Sequence, residues 1–167
     1  STTGNATDFG DLPNGRHYSG GTSNGINDRG LNGGGATTNE ITYVTISTPG
    51  DATDFGDLTT ARYGIDGFSN GSNDRGCFAG GYSTTNIIDY VTISTIGDAT
   101  DFGDLTDGRG YTSATSNGLE DRGIIGGGTF RVNVIDYVTI STIGDATDFG
   151  DLNVPRESLA GTSNGIS

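Results

Sequence analysis

One stretch of this chain recurs, and that recurrence limits the possible folds more than any other feature. Residues 135–152 read IDYVTISTIGDATDFGDL. Nearly the same residues stand at 88–105, and close variants occupy 41–58 and, shortened at the front, 1–12. Ile135 to Ile140 is rich in β-branched and aromatic residues and predicts a strand. Gly144 and Asp145 predict a turn, and Thr147 to Leu152 a second short strand. Cut before each SerThr, the chain divides into 1–46, 47–93, 94–140 and a partial copy at 141–167, one repeat domain overall. A period of 46 to 47 residues is that of a stacked supersecondary unit.

Each repeat reads as four short strands. The first follows a recurring arginine (Arg16, Arg62, Arg109, Arg156) and runs to SerAsnGly, which makes 157–166 a lone first strand. The second follows AspArgGly (Asp28, Asp74, Asp121) and ends at a double glycine. The third is the IDYVTI segment and the fourth TDFGDL. No window has helical spacing, and 31 glycines would each cost a helix about 1 kcal/mol. In the third strand Ile135, Tyr137 and Thr139 share one face, and Asp136, Val138 and Ile140 the other. Both faces are substantially apolar, as in a sheet stacked between two like neighbours. The expected fold is therefore all-β, a propeller or propeller segment of four-stranded antiparallel blades.

These landmarks resemble kelch repeats. The double glycine is Gly34-Gly35, Gly80-Gly81 and Gly127-Gly128; the third-strand tyrosine is Tyr43, Tyr90 and Tyr137; the arginines are those above. Phenylalanine (Phe9, Phe55, Phe102, Phe149) stands where the kelch pattern has tryptophan. Leu31, Cys77 and Ile124 stand where it has an aromatic. The resemblance covers the whole chain and implies a kelch-like propeller. The GDATDFGDL repeats also resemble those of structural proteins of marine phages, which implies an extracellular or virion location.

Composition narrows the function. Leu, Ile, Val and Phe make up only about 20% of the residues at a net charge of −13, a border composition that the regular strand pattern resolves toward folding. The acidity argues against nucleic acid and anionic membrane surfaces, and no apolar run is long enough to insert in a membrane. Cys77 aligns with Leu31 and Ile124 and reads as a small buried hydrophobe. DFG recurs four times but lacks a phosphate loop or catalytic loop around it, so it is no kinase motif. The aspartates of GDATDFGD could be calcium ligands. However, EF-hand alternation is absent, and carboxylates three apart on a strand face opposite ways. They read instead as caps of turns, acceptors for backbone N–H groups, or partners of Arg29, Arg75 and Arg122, with no cofactor favoured. The unique acids Glu40, Asp107, Glu120 and Glu157 form no pair of the kind a glycan hydrolase needs, so no catalytic residue is assigned.

Comparing the repeats with one another separates two ends of the molecule. The second-to-third loops (AlaThrThr, TyrSerThrThr, ThrPheArgVal) and the fourth-to-first loops (ProAsnGly, ThrThrAla, ThrAspGly, AsnValPro) differ in every copy. In an up-and-down sheet these open on one face, while the nearly invariant SNGxxDRG and STxG turns open on the other. A face of individual loops on a repeated scaffold is what a recognition surface looks like. Its candidate contacts are Tyr82, Phe130 and Arg131, with Asn14, Asp107 and the single histidine, His17. The expected function is a non-enzymatic module that shows this face to a glycan or protein. The alternative is a purely architectural repeat protein. Three blades leave a ring open, so the chain is also expected to partner itself, by default as a two-fold pair, or to be completed by further repeats.

Overall fold

The structure is a computed structural model that describes residues 4–36, 38–82, 84–118 and 120–163. Thr37 and Ser83 of the variable loops and residues 164–166 of the expected last strand lie outside the described residues. The strands form three four-stranded antiparallel meanders. The first holds β1 (Gly20–Thr22), β2 (Arg29–Gly33), β3 (Glu40–Thr45) and β4 (Thr53–Asp57). The second holds β5 (Asp66–Phe68), β6 (Arg75–Ala79), β7 (Ile87–Thr92) and β8 (Thr100–Asp104). The third holds β9 (Ser113–Thr115), β10 (Arg122–Gly126), β11 (Val134–Thr139) and β12 (Thr147–Asp151). The first strands are neighbours, β1 beside β5 and β5 beside β9. One expectation fails here: residues 157–163 are not a strand. Ser158 N donates to Tyr111 O at 3.0 Å, and among the described residues no second strand of the same sheet lies beside this segment.

Two apolar layers hold the sheets together. Leu31, Ile41, Phe55 and Leu58 meet Phe78, Val91 and Ile93 between the first and second sheets. Cys77, Ile88, Phe102 and Leu105 meet Ile125, Val138 and Ile140 between the second and third. The middle sheet is thus buried on both faces, as its third strand requires. The end sheets are not closed: Phe55 and Phe102 are 0% exposed, but their counterpart Phe149 is 54% exposed on the free flank of the third sheet. Cys77 sits in the second layer, and burial pushes its thiol up to about 12, which keeps it protonated and inert.

The recurring DFGD stretch explains how the sheets are joined at their outer edge. Ile41 pairs with Gly56 and Thr42 with Asp54, so Phe55 is the extra residue of a β-bulge; the same bulge recurs in the other two sheets. The bulge turns Phe55 into the apolar layer, and Asp54 holds it by accepting Gly56 N at 3.1 Å. Gly56 has φ +142, and a Cβ there would stand 2.4 Å from Gly97 O, so only glycine serves. On either side of Gly56, Phe55 O accepts Gly97 N (2.8 Å) and Asp57 O accepts Ala99 N (2.7 Å), stitching one sheet to the next.

The Gly144-Asp145 pair is therefore not the hairpin turn. The turn comes earlier, with Thr142 N donating to Thr139 O at 3.0 Å, while Gly144 N reaches back to Phe102 O at 2.8 Å. Carboxylates do accept backbone N–H groups: Asp98 from Asp57 N at 3.1 Å and Asp145 from Asp104 N at 3.0 Å. The expected pairing of these aspartates with Arg29, Arg75 and Arg122 does not occur. Those guanidinium groups lie over Tyr43, Tyr90 and Tyr137, at 5.0, 4.9 and 4.9 Å from the ring centroids.

Candidate functional site

The variable loops are positioned by a buried arginine that each connection between sheets carries. Arg62, between β4 and β5, donates to Asp89 Oδ2 at 2.7 Å and to Gly80 O at 2.9 Å. Arg109 repeats this with Asp136 Oδ2 (2.9 Å) and Gly127 O (2.9 Å). Asp89 also accepts Thr59 N (3.1 Å) and Thr59 Oγ1 (2.7 Å), and Asp136 accepts the same two groups of Thr106. Each carboxylate thus ties down two residues of one short connection, its threonine and its arginine. The first repeat differs consistently. Pro13 has no N–H to offer where Thr59 does, Thr42 replaces the aspartate, and Arg16 pairs with Glu40 at 2.5 Å instead. The unique acid Glu40 is therefore structural.

Beyond each arginine the backbone takes a left-handed residue: Tyr18 (φ 58), Gly64 (φ 68), Tyr111 (φ 52) and Ser158 (φ 57). These four are chained from repeat to repeat. Gly64 N donates to Tyr18 O (2.7 Å), Tyr111 N to Gly64 O (2.7 Å) and Ser158 N to Tyr111 O (3.0 Å). Glycine is the unstrained residue for this conformation, yet two copies carry tyrosine. The neighbouring loops are tied in, Tyr82 N to Tyr63 O and Thr129 N to Gly110 O, both at 2.7 Å.

That frame brings four tyrosines from four loops into one group. Tyr63 stacks on Tyr82 with centroids 5.0 Å apart, Tyr18 meets Tyr111 edge-on at 5.1 Å, and Tyr82 meets Tyr111 at 5.8 Å. His17 adds an edge-on contact to Tyr18 at 5.0 Å. Beside the group opens a cavity of about 630 Å³ lined by Tyr82, Tyr111, Thr129, Phe130, Arg131 and Glu157. Desolvation first, then Tyr63, Tyr18, Tyr82 and the Glu157 carboxylate, holds the Tyr111 phenol above its ordinary 10.0.

The structure brings the expected Tyr82, Phe130 and Arg131 together in that cavity and sets His17 at the edge of the tyrosine group. Asn14 and Asp107 are exposed on the connecting loops and line none of this cavity; only the backbone O of Asp107 is engaged, by Arg109 at 3.1 Å. Sequence reasoning missed Tyr18, Tyr63 and Tyr111. The available signal was an aromatic one or two residues after each of three landmark arginines, since residues one repeat apart occupy the same end of successive sheets. Among the described residues no three metal-ligating side chains gather at one point. Neither a protein-family model nor a curated protein matches this chain.

Proposed function

We propose that the chain is a non-enzymatic binding module, a segment of a kelch-like β-propeller, whose variable-loop face takes up a glycan or protein partner in an extracellular or virion setting. One observation carries the reading: Tyr18, Tyr63, Tyr82 and Tyr111 come from separate loops yet share one surface. Tyrosine offers a large rigid face with a polar tip at little entropic cost, which suits sugar rings and peptide side chains alike. Glu40, Asp89 and Asp136 are spent on arginines, and Glu157 is the carboxylate that lines the cavity. Glycan-array and peptide-array binding by the intact chain tests the reading. Tyr82→Ala, at a 46% exposed position, is expected to weaken the best ligand by about 2 kcal/mol while leaving the urea midpoint in place. Arrays without a single reproducible ligand would remove the proposal. An architectural role is the second reading, favoured by the uncovered apolar flank at Phe149.

A further inference from the structure

The cavity beside the tyrosines carries two opposite charges that do not meet. Arg131 and Glu157 both line it, and neither belongs to any ion pair among the described residues. Its third aromatic wall, Phe130, is 82% exposed and is not ring-paired with Tyr82 or Tyr111, whereas those two are 5.8 Å apart. Phe130 and Arg131 both hold left-handed backbone, φ 65 and φ 54, within the 3-10 turn Thr129–Arg131. The corresponding loop of the second sheet shows one such residue among those described, Thr84. Two consecutive strained residues keep an aromatic ring and a guanidinium exposed, an arrangement that costs stability and gains no packing.

Three aromatic side chains and a carboxylate lining one cavity suit an alkylated ammonium, which has no N–H to satisfy when fully alkylated and is attracted to ring faces. A primary ammonium would need three acceptors, and the carboxylate supply here is Glu157 alone. Arg131 would repel a simple cation but match an anionic group a few bonds away on the same ligand. The net charge of −13 favours approach of the cationic end. We propose that this cavity binds a zwitterion, its alkylated ammonium among Tyr82, Tyr111 and Phe130 near Glu157, and its carboxylate or phosphate on Arg131. This rests on reading the variable-loop face as a binding surface and names the ligand class of one part of it.

Calorimetric titration of the full chain tests the proposal with five probes: glycine betaine, phosphocholine, choline, inorganic phosphate, and 3,3-dimethylbutanoate, the uncharged-carbon isostere of betaine. Betaine or phosphocholine is expected to bind on the order of tenfold more tightly than choline or the isostere. Phe130→Ala, which leaves both apolar layers untouched, is expected to lose about that factor. Arg131→Ala is expected to erase the preference for zwitterion over choline, and Glu157→Gln to narrow the preference for betaine over its isostere to what the rings alone supply. Equal binding of betaine and the isostere overturns the inference, as does absence of binding by every probe. If array ligands still bind through Tyr82 in that case, only this inference fails; if they do not, the binding-face reading fails with it.

Discussion

Arg109 and Asp136 show how much one buried pair can decide. Both side chains are essentially inaccessible (1% and 0%), and the carboxylate also holds both donors of Thr106. Removing one member leaves the other charge buried without its counter-ion, where water cannot replace the lost partner. Asp136→Ala is therefore expected to destabilise the chain by about 3–5 kcal/mol, read as a lowered urea midpoint. A loss below about 1 kcal/mol would mean the pair is solvated and the loops are held by backbone bonds alone. The recurring arginines were legible as landmarks, and their buried role was not. Arg109 and its partner are 27 residues apart, and nothing in local pattern links a loop cation to an aspartate in the middle of a strand. The matched changes at Pro13, Glu40 and Thr42 contain the signal, but only the fold shows that they are one change.

At the scale of the element, the bulged hairpin is where expectation and structure part most usefully. The strand pair was readable from β-branched residues in Ile135–Ile140 and the aromatic in TDFGDL. The turn was misplaced because Gly144 looks like a turn glycine but serves a contact between sheets. The arginines that open the second strands make a similar bridge. Arg75 donates to Ile140 O of the next sheet at 2.6 Å and Arg29 to Ile93 O at 2.7 Å, while Arg122 has no following sheet to reach among the described residues. Arg75→Ala should thus cost about 1.5–3 kcal/mol, the range for a charged hydrogen bond. Arg122→Ala, losing an exposed stacking contact, should cost under about 1 kcal/mol. Paired denaturation curves check the ordering; equal losses would show that both arginines act through the tyrosine beneath them.

For the whole molecule, the two outer flanks differ. The third sheet shows Phe149 and the half-buried Ile124 and Ile135, the counterparts of a face covered in both other sheets. The first sheet shows Ile46, whose counterparts Ile93 and Ile140 are 0% exposed, with residues 9–11 already bonded across 50–52. Each flank is the complement of the other and not of itself, so self-association, if copies meet here, should be head-to-tail and not two-fold. Sedimentation over a range of concentrations is expected to show a rising average mass, abolished by Phe149→Glu at an unchanged urea midpoint. A concentration-independent monomer would mean the chain does not partner itself through this flank.

The sequence by itself determined the period, the four strands of each complete repeat, the all-β class and the double glycine that follows each second strand. Those follow from alternation, branched side chains and glycine, which act over a few neighbouring residues. Only the tertiary structure decided which loop residues stand together. Tyr18, Tyr63, Tyr82 and Tyr111 are distant along the chain, and their meeting depends on how each sheet is laid against the next, through Gly56, the bulge and the buried arginines. The angle between stacked sheets is set by side-chain volumes in two apolar layers, a sum over many contacts that no single stretch of sequence displays.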